Sequence, residues 1–367
     1  MTSLSYRVVL ALGLSAAAGT ASSHQDGRDP LAPLPPSTAA VQPPSLVLPP
    51  RIAPASLRER VTALGRAFNG SAGISVVSLS DGWQADYNAT TLFPQQSCSK
   101  LWVAITAMDA VDRGRISLND KVTLGRDDLT LFHQPISAKI LGNGGHTTTL
   151  GTLLFTAITE SDNTANDKLM RSIGGPQAVR DMISAKRLGS IRFYEGERAL
   201  QSRIAGLIWS QSYSIGDAFY KARDALPFSV RKAAFNRYIE DPYDGASPNG
   251  FVSGLARLKR GELLSPSSTA RLLSIMGNTK TGANRLKGGL KPGWSLSHKT
   301  GTGQILGDVQ AGYNDIGILT APDGRSYAVA VMIKKTSVPL PTRMTLMNNV
   351  VRAVIDSHQT NGAAYTL

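Results

Sequence analysis

The chain has 367 residues, 42% of them hydrophobic, and its 39 basic and 26 acidic side chains give a formal net charge of +13. That length can bury a large core, as one big domain or two interlocked ones, and no internal stretch is long and apolar enough to cross a membrane as a stable helix. A single cysteine, Cys98, excludes an intrachain disulfide and a cysteine-based metal site, while the positive charge, with no Lys/Arg run interleaved with aromatics, reads as a solvated basic surface and points away from nucleic acid.

In chain order, Arg7, the apolar run 8–18 and the small residues Gly19-Thr20-Ala21 have the layout of a cleavable signal peptide over 1–21. Residues 22–53 are rich in Pro, Ala and Ser, a composition that cannot pack a core and reads as an extended linker. The mature protein is therefore expected to be exported, periplasmic or secreted, without stable membrane insertion. Its folded part should begin near residue 54. Residues 55–68 carry helical spacing (Leu57, Val61, Leu64, Phe68), and 73–79 with 83–87, joined by Ser80-Asp81-Gly82, read as a β-hairpin.

Next, the loop Phe93-Pro94-Gln95-Gln96 runs into an apolar helix that Gly114 stops. Ser97 and Lys100 stand one turn apart on its first turn, on the same face, with the serine at the positive end of the helix dipole. This suits a nucleophile with the lysine amine as proton acceptor. Cys98, facing the buried side, is a small core residue. The spacing alone is weak, since Ser229-Val230-Arg231-Lys232 repeats it with no chemistry around it.

Residues 115–148 are polar and glycine-rich, with few core positions. The apolar helix Leu150–Thr159 then delivers Ser161-Asp162-Asn163, and a further helix continues through Leu169, Met170 and Ile173 to Gly174-Gly175. The stretch 186–245 is mixed but rich in aromatics, so it should be ordered and packed. Residues 250–276 are helical, with a fresh start at Ser265-Pro266. The last third alternates as strands over 294–298, 312–319 and 327–333, and an amphipathic helix over 342–357 closes the fold before a tail at 359–367. The fold class is α/β (α+β): one antiparallel sheet assembled from both chain ends, flanked by helices, with an all-helical subdomain.

Three sites now fall in order: Ser97/Lys100, then Ser161-Asp162-Asn163, then Lys299-Thr300-Gly301-Thr302-Gly303. Ser161 can relay a proton between the lysine amines and a leaving nitrogen. The Asn163 amide can hold a substrate carbonyl. Lys299, closing an alternating strand, places a cation beside Ser161. Thr300 and Thr302 offer hydroxyls to a carboxylate, and Gly301 lets substrate lie along the strand as a pairing partner. The backbone N–H groups of Ser97 and Thr302 would form an oxyanion hole. Lys280-Thr281-Gly282 spells the same letters but follows a helix end in loop context, so Lys299 is the better choice.

With these three motifs the sequence resembles the penicillin-recognising serine hydrolases and, within them, the class A β-lactamases, whose signature is S-x-x-K, S-D-N and K-T-G. The resemblance covers residues 59–358 and extends to Thr164-Ala165, to Gly261-Glu262-Leu263-Leu264-Ser265-Pro266 and to Asn314-Asp315-Ile316-Gly317. It implies a β-lactamase/D,D-peptidase-like fold and a catalytic domain over 54–358. It also implies that Glu197, in Glu197-Arg198-Ala199-Leu200-Gln201, holds and deprotonates the water that attacks the acyl-enzyme, although Gln201 departs from the family's asparagine. Arg285 matches the arginine that supports the substrate carboxylate in some members. A further departure is an insertion of about 34 residues, mostly within 202–245, where the omega loop should close on itself. Asp167 stands where many relatives have asparagine.

The resulting expectation is a monomeric serine β-lactamase that acts on a small-molecule β-lactam, with no metal and no cofactor. A D,D-peptidase acting on peptidoglycan stem peptides is the nearest alternative, and a penicillin-binding sensor that acylates without turnover is another. The status of Glu197 separates them.

Overall fold

The computed structural model describes residues 52–363, and the side chains through residue 360. The signal-peptide reading and nearly all of the linker reading fall outside the described residues. Helix α1 (Ala55–Ala67) precedes the hairpin β1 (Ala72–Ser78) and β2 (Gln84–Tyr87), as the periodicity indicates. Short β3 (Phe93–Pro94) leads to a tight turn, Gln96–Ser99, and then to α2 (Lys100–Asp112). Of the 13 residues of α2, all from Lys100 to Ala110 are buried, which is why its sequence is apolar on every face.

The polar stretch that follows holds more order than its composition suggests. β4 (Lys121–Leu124), α3 (Ser137–Gly142) and β5 (His146–Thr149) form there, with Leu124, Leu129, Leu131 and Ile140 buried. α4 (Leu150–Thr159) is capped by the Thr149 hydroxyl, and α5 (Asn163–Ser172) by the Asp162 carboxylate. α6 (Gly175–Ala185), which the sequence pattern did not separate, starts at two glycines with positive φ.

The mixed region resolves into α7 (Glu197–Ile204), α8 (Ala218–Ala225) and α9 (Phe228–Glu240), and then β6 (Gly245–Ala246), which pairs with β3. α10 (Pro248–Lys259) and α11 (Pro266–Gly277) follow, each with a serine N-cap and a proline in its first turn. The chain ends in β7 (Ser295–Thr302), β8 (Ile305–Leu306), β9 (Val309–Thr320), β10 (Ser326–Thr336) and α12 (Leu340–Ala363). This last helix runs past residue 358, where the sequence reading placed the tail.

The main sheet has the order β2-β1-β10-β9-β7, with β8 on β9, and every pairing is antiparallel. β1 pairs with β10 from Ala72↔Ile333 to Ser78↔Tyr327, so the two ends of the chain close one sheet. Alternation divides β10 between two cores. Val329, Val331 and Ile333 pack with α1 and α12, while Ala328, Ala330 and Met332 face the cluster built on α2. In that second core Trp102 is fully buried, stacks on Phe251 at 5.2 Å and donates its indole N–H to Gln95 Oε1 at 2.6 Å. Truncating it to alanine would cost about 3–5 kcal/mol. A smaller cluster joins Leu200 and Ile204 to Phe235, Tyr238 and Ile239, and so anchors α9 on α7. Among the described residues no helix is long and apolar enough to cross a membrane.

Candidate active site

Ser97 lies in the tight turn at the N-terminal end of α2, and it is more open to solvent than its neighbours Gln96, Cys98 and Ser99. Gln96, just before it, has φ 52°, a left-handed conformation that costs a non-glycine residue about 1–3 kcal/mol and needs outside support. That support is dense. The Gln96 N–H donates to Asp244 Oδ2 at 2.8 Å, its amide nitrogen donates to Tyr238 Oη at 2.7 Å, and its Oε1 accepts from Gln201 Nε2 at 3.1 Å.

Lys100 is wholly buried and its ammonium has three partners: Ser97 Oγ at 2.7 Å, Asn163 Oδ1 at 2.7 Å and Glu197 Oε1 at 2.6 Å. An ammonium has three donors and no acceptor, so this set satisfies it completely. Burial at such a position is tolerable only because a carboxylate shares the site.

Glu197 opens α7. Its backbone N–H donates to Asp167 Oδ1 at 3.0 Å, and its Oε2 accepts from Gln201 Nε2 at 3.2 Å. Asp167, buried on α5, therefore caps the helix that carries the glutamate. Burial, reinforced by the Glu197 charge, raises its carboxyl above the usual range. The family's asparagine and this glutamine differ by one methylene, and Gln201 uses that reach to touch both Gln96 and Glu197. Gln304 Nε2 in turn donates to Gln201 Oε1 at 3.0 Å, which fixes the orientation of the amide.

Across the cleft, Ser161 has φ 61° and accepts from Lys299 Nζ at 2.8 Å; the same ammonium donates to Thr300 O at 2.9 Å. Lys299 is fully buried, and its amine is lowered to about 7, mainly by burial and next by the charge of Lys100. Asn163 donates to Leu131 O at 2.9 Å, so its carbonyl is held toward Lys100. The Thr300 hydroxyl meets that of Thr281 at 2.7 Å, and the exposed Thr302 accepts from Arg285 Nη2 at 2.5 Å. Arg285 is buried, donates also to Gly301 O and Asn314 O, and lies 3.9 Å from the Tyr313 ring centroid. At Gly301 a Cβ would stand 2.4 Å from Gln95 O, so only glycine lets β7 lie this close to the nucleophile turn.

The structure thus brings Ser97, Lys100, Ser161, Asn163, Glu197, Lys299, Thr300, Gly301, Thr302 and Arg285 to one cleft, with Arg285 acting through Thr302. Cys98 is buried in the core beneath, its thiol pushed up to about 12 by burial, which leaves it unreactive. Lys280 pairs with Glu160 at the surface, consistent with loop context, yet its neighbour Thr281 reaches the site. Among the described residues no cluster of His, Cys, Asp and Glu could hold a metal ion. His133 meets Glu160 O, and His298 meets Asp315 in the core.

The sequence pattern does not single out Thr281, Gln96, Tyr238 or Asp244. For Tyr238 one signal is available: Phe235, Tyr238 and Ile239 share a helix face at core spacing, and a buried tyrosine hydroxyl needs a partner. Asp244 is buried, and its carboxyl is raised to about 7, chiefly by burial.

Chemically, the cleft offers a hydroxyl beside an amine, a second hydroxyl on a second amine, and a carboxylate next to the first amine. The comparisons with known proteins agree with that set. Beta-lactamase VEB-1 of Pseudomonas aeruginosa is 26% identical over 272 residues, 74% of this chain and 80% of that protein. Extended-spectrum beta-lactamase PER-1 of the same species is 27% identical over 296 residues, 81% and 85% of the two chains. The crystal structure of a beta-lactamase from Chitinophaga pinensis superposes with a TM-score of 0.68 at 26% identity, covering 82% of this chain and 99% of that one. The profile of the beta-lactamase enzyme family matches residues 56–358, which take in every motif of the cleft, and the chain belongs to that family.

Proposed function

We propose that the protein is an active-site-serine β-lactamase of class A type, acting on small-molecule β-lactams through a Ser97 acyl-enzyme. Ser97 Oγ attacks the lactam carbonyl, and its proton passes through water to Glu197, or to Lys100 once that ammonium has handed a proton to Glu197 Oε1. The N–H groups of Ser97 and Thr302 stabilise the oxyanion. Ser161, resupplied with a proton through its contact with Lys299, protonates the departing nitrogen. Lys299, Thr300 and Thr302, the last held by Arg285, bind the substrate carboxylate, and Asn163 holds the side-chain amide carbonyl. Glu197 then takes a proton from the water that hydrolyses the ester.

The observation that carries this reading is the single buried cation shared by nucleophile and carboxylate: Lys100 Nζ touches Ser97 Oγ at 2.7 Å and Glu197 Oε1 at 2.6 Å. A peptidase or sensor needs the serine and the lysine, whereas only rapid deacylation needs the carboxylate there. The names of the relatives support the same activity, and the leader-like 1–21 supports export of a monomeric enzyme to the periplasm or the medium.

The test is a burst and steady-state assay of the full chain with a chromogenic cephalosporin, beside Glu197→Gln and Ser97→Ala. Steady turnover is expected, falling about 100- to 10,000-fold to a stoichiometric burst in Glu197→Gln and vanishing in Ser97→Ala. A wild-type burst without turnover, unchanged in Glu197→Gln, would sink the reading in favour of a D,D-peptidase or a penicillin-binding sensor.

A further inference from the structure

The segment 202–245, where most of the extra residues relative to the family fall, does more than pack outside the cleft. Tyr238, on the buried face of α9, donates its hydroxyl proton to Asp244 Oδ1 at 2.9 Å and accepts from Gln96 Nε2 at 2.7 Å. The other Asp244 oxygen accepts the Gln96 backbone N–H at 2.8 Å. The residue before the nucleophile is therefore gripped by both main chain and side chain, from residues of this segment. Gln96 Oε1 then accepts from Gln201, whose amide nitrogen also donates to Glu197 Oε2. All five residues are buried.

With Asp244 ionised, the direction of every bond in this row is determined. Gln304 donates to Gln201 Oε1, so Gln201 presents its NH2, with one hydrogen for each of Gln96 Oε1 and Glu197 Oε2. Gln96 must then present its own NH2 to Tyr238, and the Tyr238 hydroxyl is left to donate to Asp244. Two carboxylates accept at the ends, and the three groups between them have one consistent arrangement. Such a network, away from competing water, orients its members more sharply than isolated bonds do.

We propose that Tyr238, seated on Asp244, is a positioning residue for deacylation: it fixes the Gln96 amide and, through Gln201, aims the Glu197 carboxylate at the hydrolytic water. This rests on the β-lactamase reading of the same site. Tyr238 touches neither Ser97 nor Lys100, so acylation with Lys100 as the base should be spared.

The test is Tyr238→Phe, which keeps the ring and removes the hydroxyl, assayed in the full chain with a chromogenic cephalosporin. We expect kcat and KM to fall together by about tenfold, kcat/KM to stay within about twofold, and acyl-enzyme to accumulate in steady state by mass spectrometry. Gln201→Met should give the same split, and the double variant should be no slower than the slower single, because both interrupt one row. Unchanged kcat in Tyr238→Phe, equal losses of acylation and deacylation, or multiplicative losses in the double variant would each overturn the proposal. If Tyr238→Phe does not fold, Gln96→Asn, one methylene too short for Tyr238 and Gln201, carries the same expectation and the same refutation. A wild type that bursts without turning over overturns the β-lactamase reading itself, whereas a wild type that turns over beside an unaffected Tyr238→Phe overturns only the role of Tyr238.

Discussion

Lys100 Nζ lies 2.6 Å from Glu197 Oε1, and the two side chains are 0% and 4% exposed. A pair this dry is held by mutual need. Each charge has lost its water, and removing one partner strands the other, at about 3–5 kcal/mol. We predict losses of that size for Lys100→Met and for Glu197→Gln, measured by urea unfolding. The double variant should be clearly more stable than the sum of the two losses allows, although all three variants lose most of their turnover. Losses that add to within about 0.5 kcal/mol would mean that the two groups are not coupled.

A second consequence concerns pH. Burial first, then the nearby charges of Lys100 and Arg285, lower the Lys299 amine from 10.5 to about 7, against a smaller opposing effect of Asp315. Below that value Lys299 is a cation that can receive a substrate carboxylate; above it the amine is neutral and the attraction is lost. kcat/KM for an anionic β-lactam should therefore fall on the alkaline side, with an apparent pKa near 7 in the free enzyme. Arginine stays charged throughout this range, so Lys299→Arg should move the alkaline limb up by more than one pH unit. A pH–rate profile with the same limb in both proteins would refute this assignment. The sign for stability is opposite to that for binding: between about 7 and 10.5 the unfolded chain holds a proton the folded one lacks, so Lys299 makes folding more favourable as pH rises through that window.

The part of this site that a sequence reader could reach is the part fixed by local rules. Ser97 and Lys100 are three residues apart on one turn, Asp162 caps its own helix, and Lys299 falls on the alternating face of a strand. In each case spacing and secondary structure together decide where the side chain points. The sheet was equally legible, because β1, β9 and β10 are apolar and bounded by turns. What spacing could not supply is partnership across long separations in sequence. Gln96 and Tyr238 are 142 positions apart, and Gln201 meets Gln96 across 105. No periodicity links such residues, and a polar side chain in a loop reads alike whether it is solvated or buried. α8 and α9 stayed hidden for a different reason. They carry many exposed basic and polar residues and a narrow buried face, so their helical period is weak, while their order comes from tertiary contacts such as Phe219 and Phe235.

Asp244 supplies the last prediction. Its carboxyl is raised from 3.8 to about 7, first by burial and also by the Glu197 charge, against the N–H of Gln96 and the hydroxyl of Tyr238, which favour the ionised form. An acid with a raised folded-state value binds its proton more tightly in the folded protein. Between about pH 4 and 7 the folded state thus holds more proton than the unfolded state, and stability drops as pH rises through that interval. The full penalty is of the order of 4 kcal/mol, reached above pH 7. Asp244→Asn cannot ionise. It carries a fixed cost, since its NH2 must face the Gln96 N–H or the Tyr238 hydroxyl, but it lacks the slope. The stability difference between variant and wild type, followed by urea unfolding at pH 5, 6, 7 and 8, should therefore shift in favour of the variant by a few kcal/mol from the acid to the alkaline end. A difference independent of pH would show that Asp244 keeps its charge across the whole range, held by its two hydrogen bonds more strongly than burial opposes it.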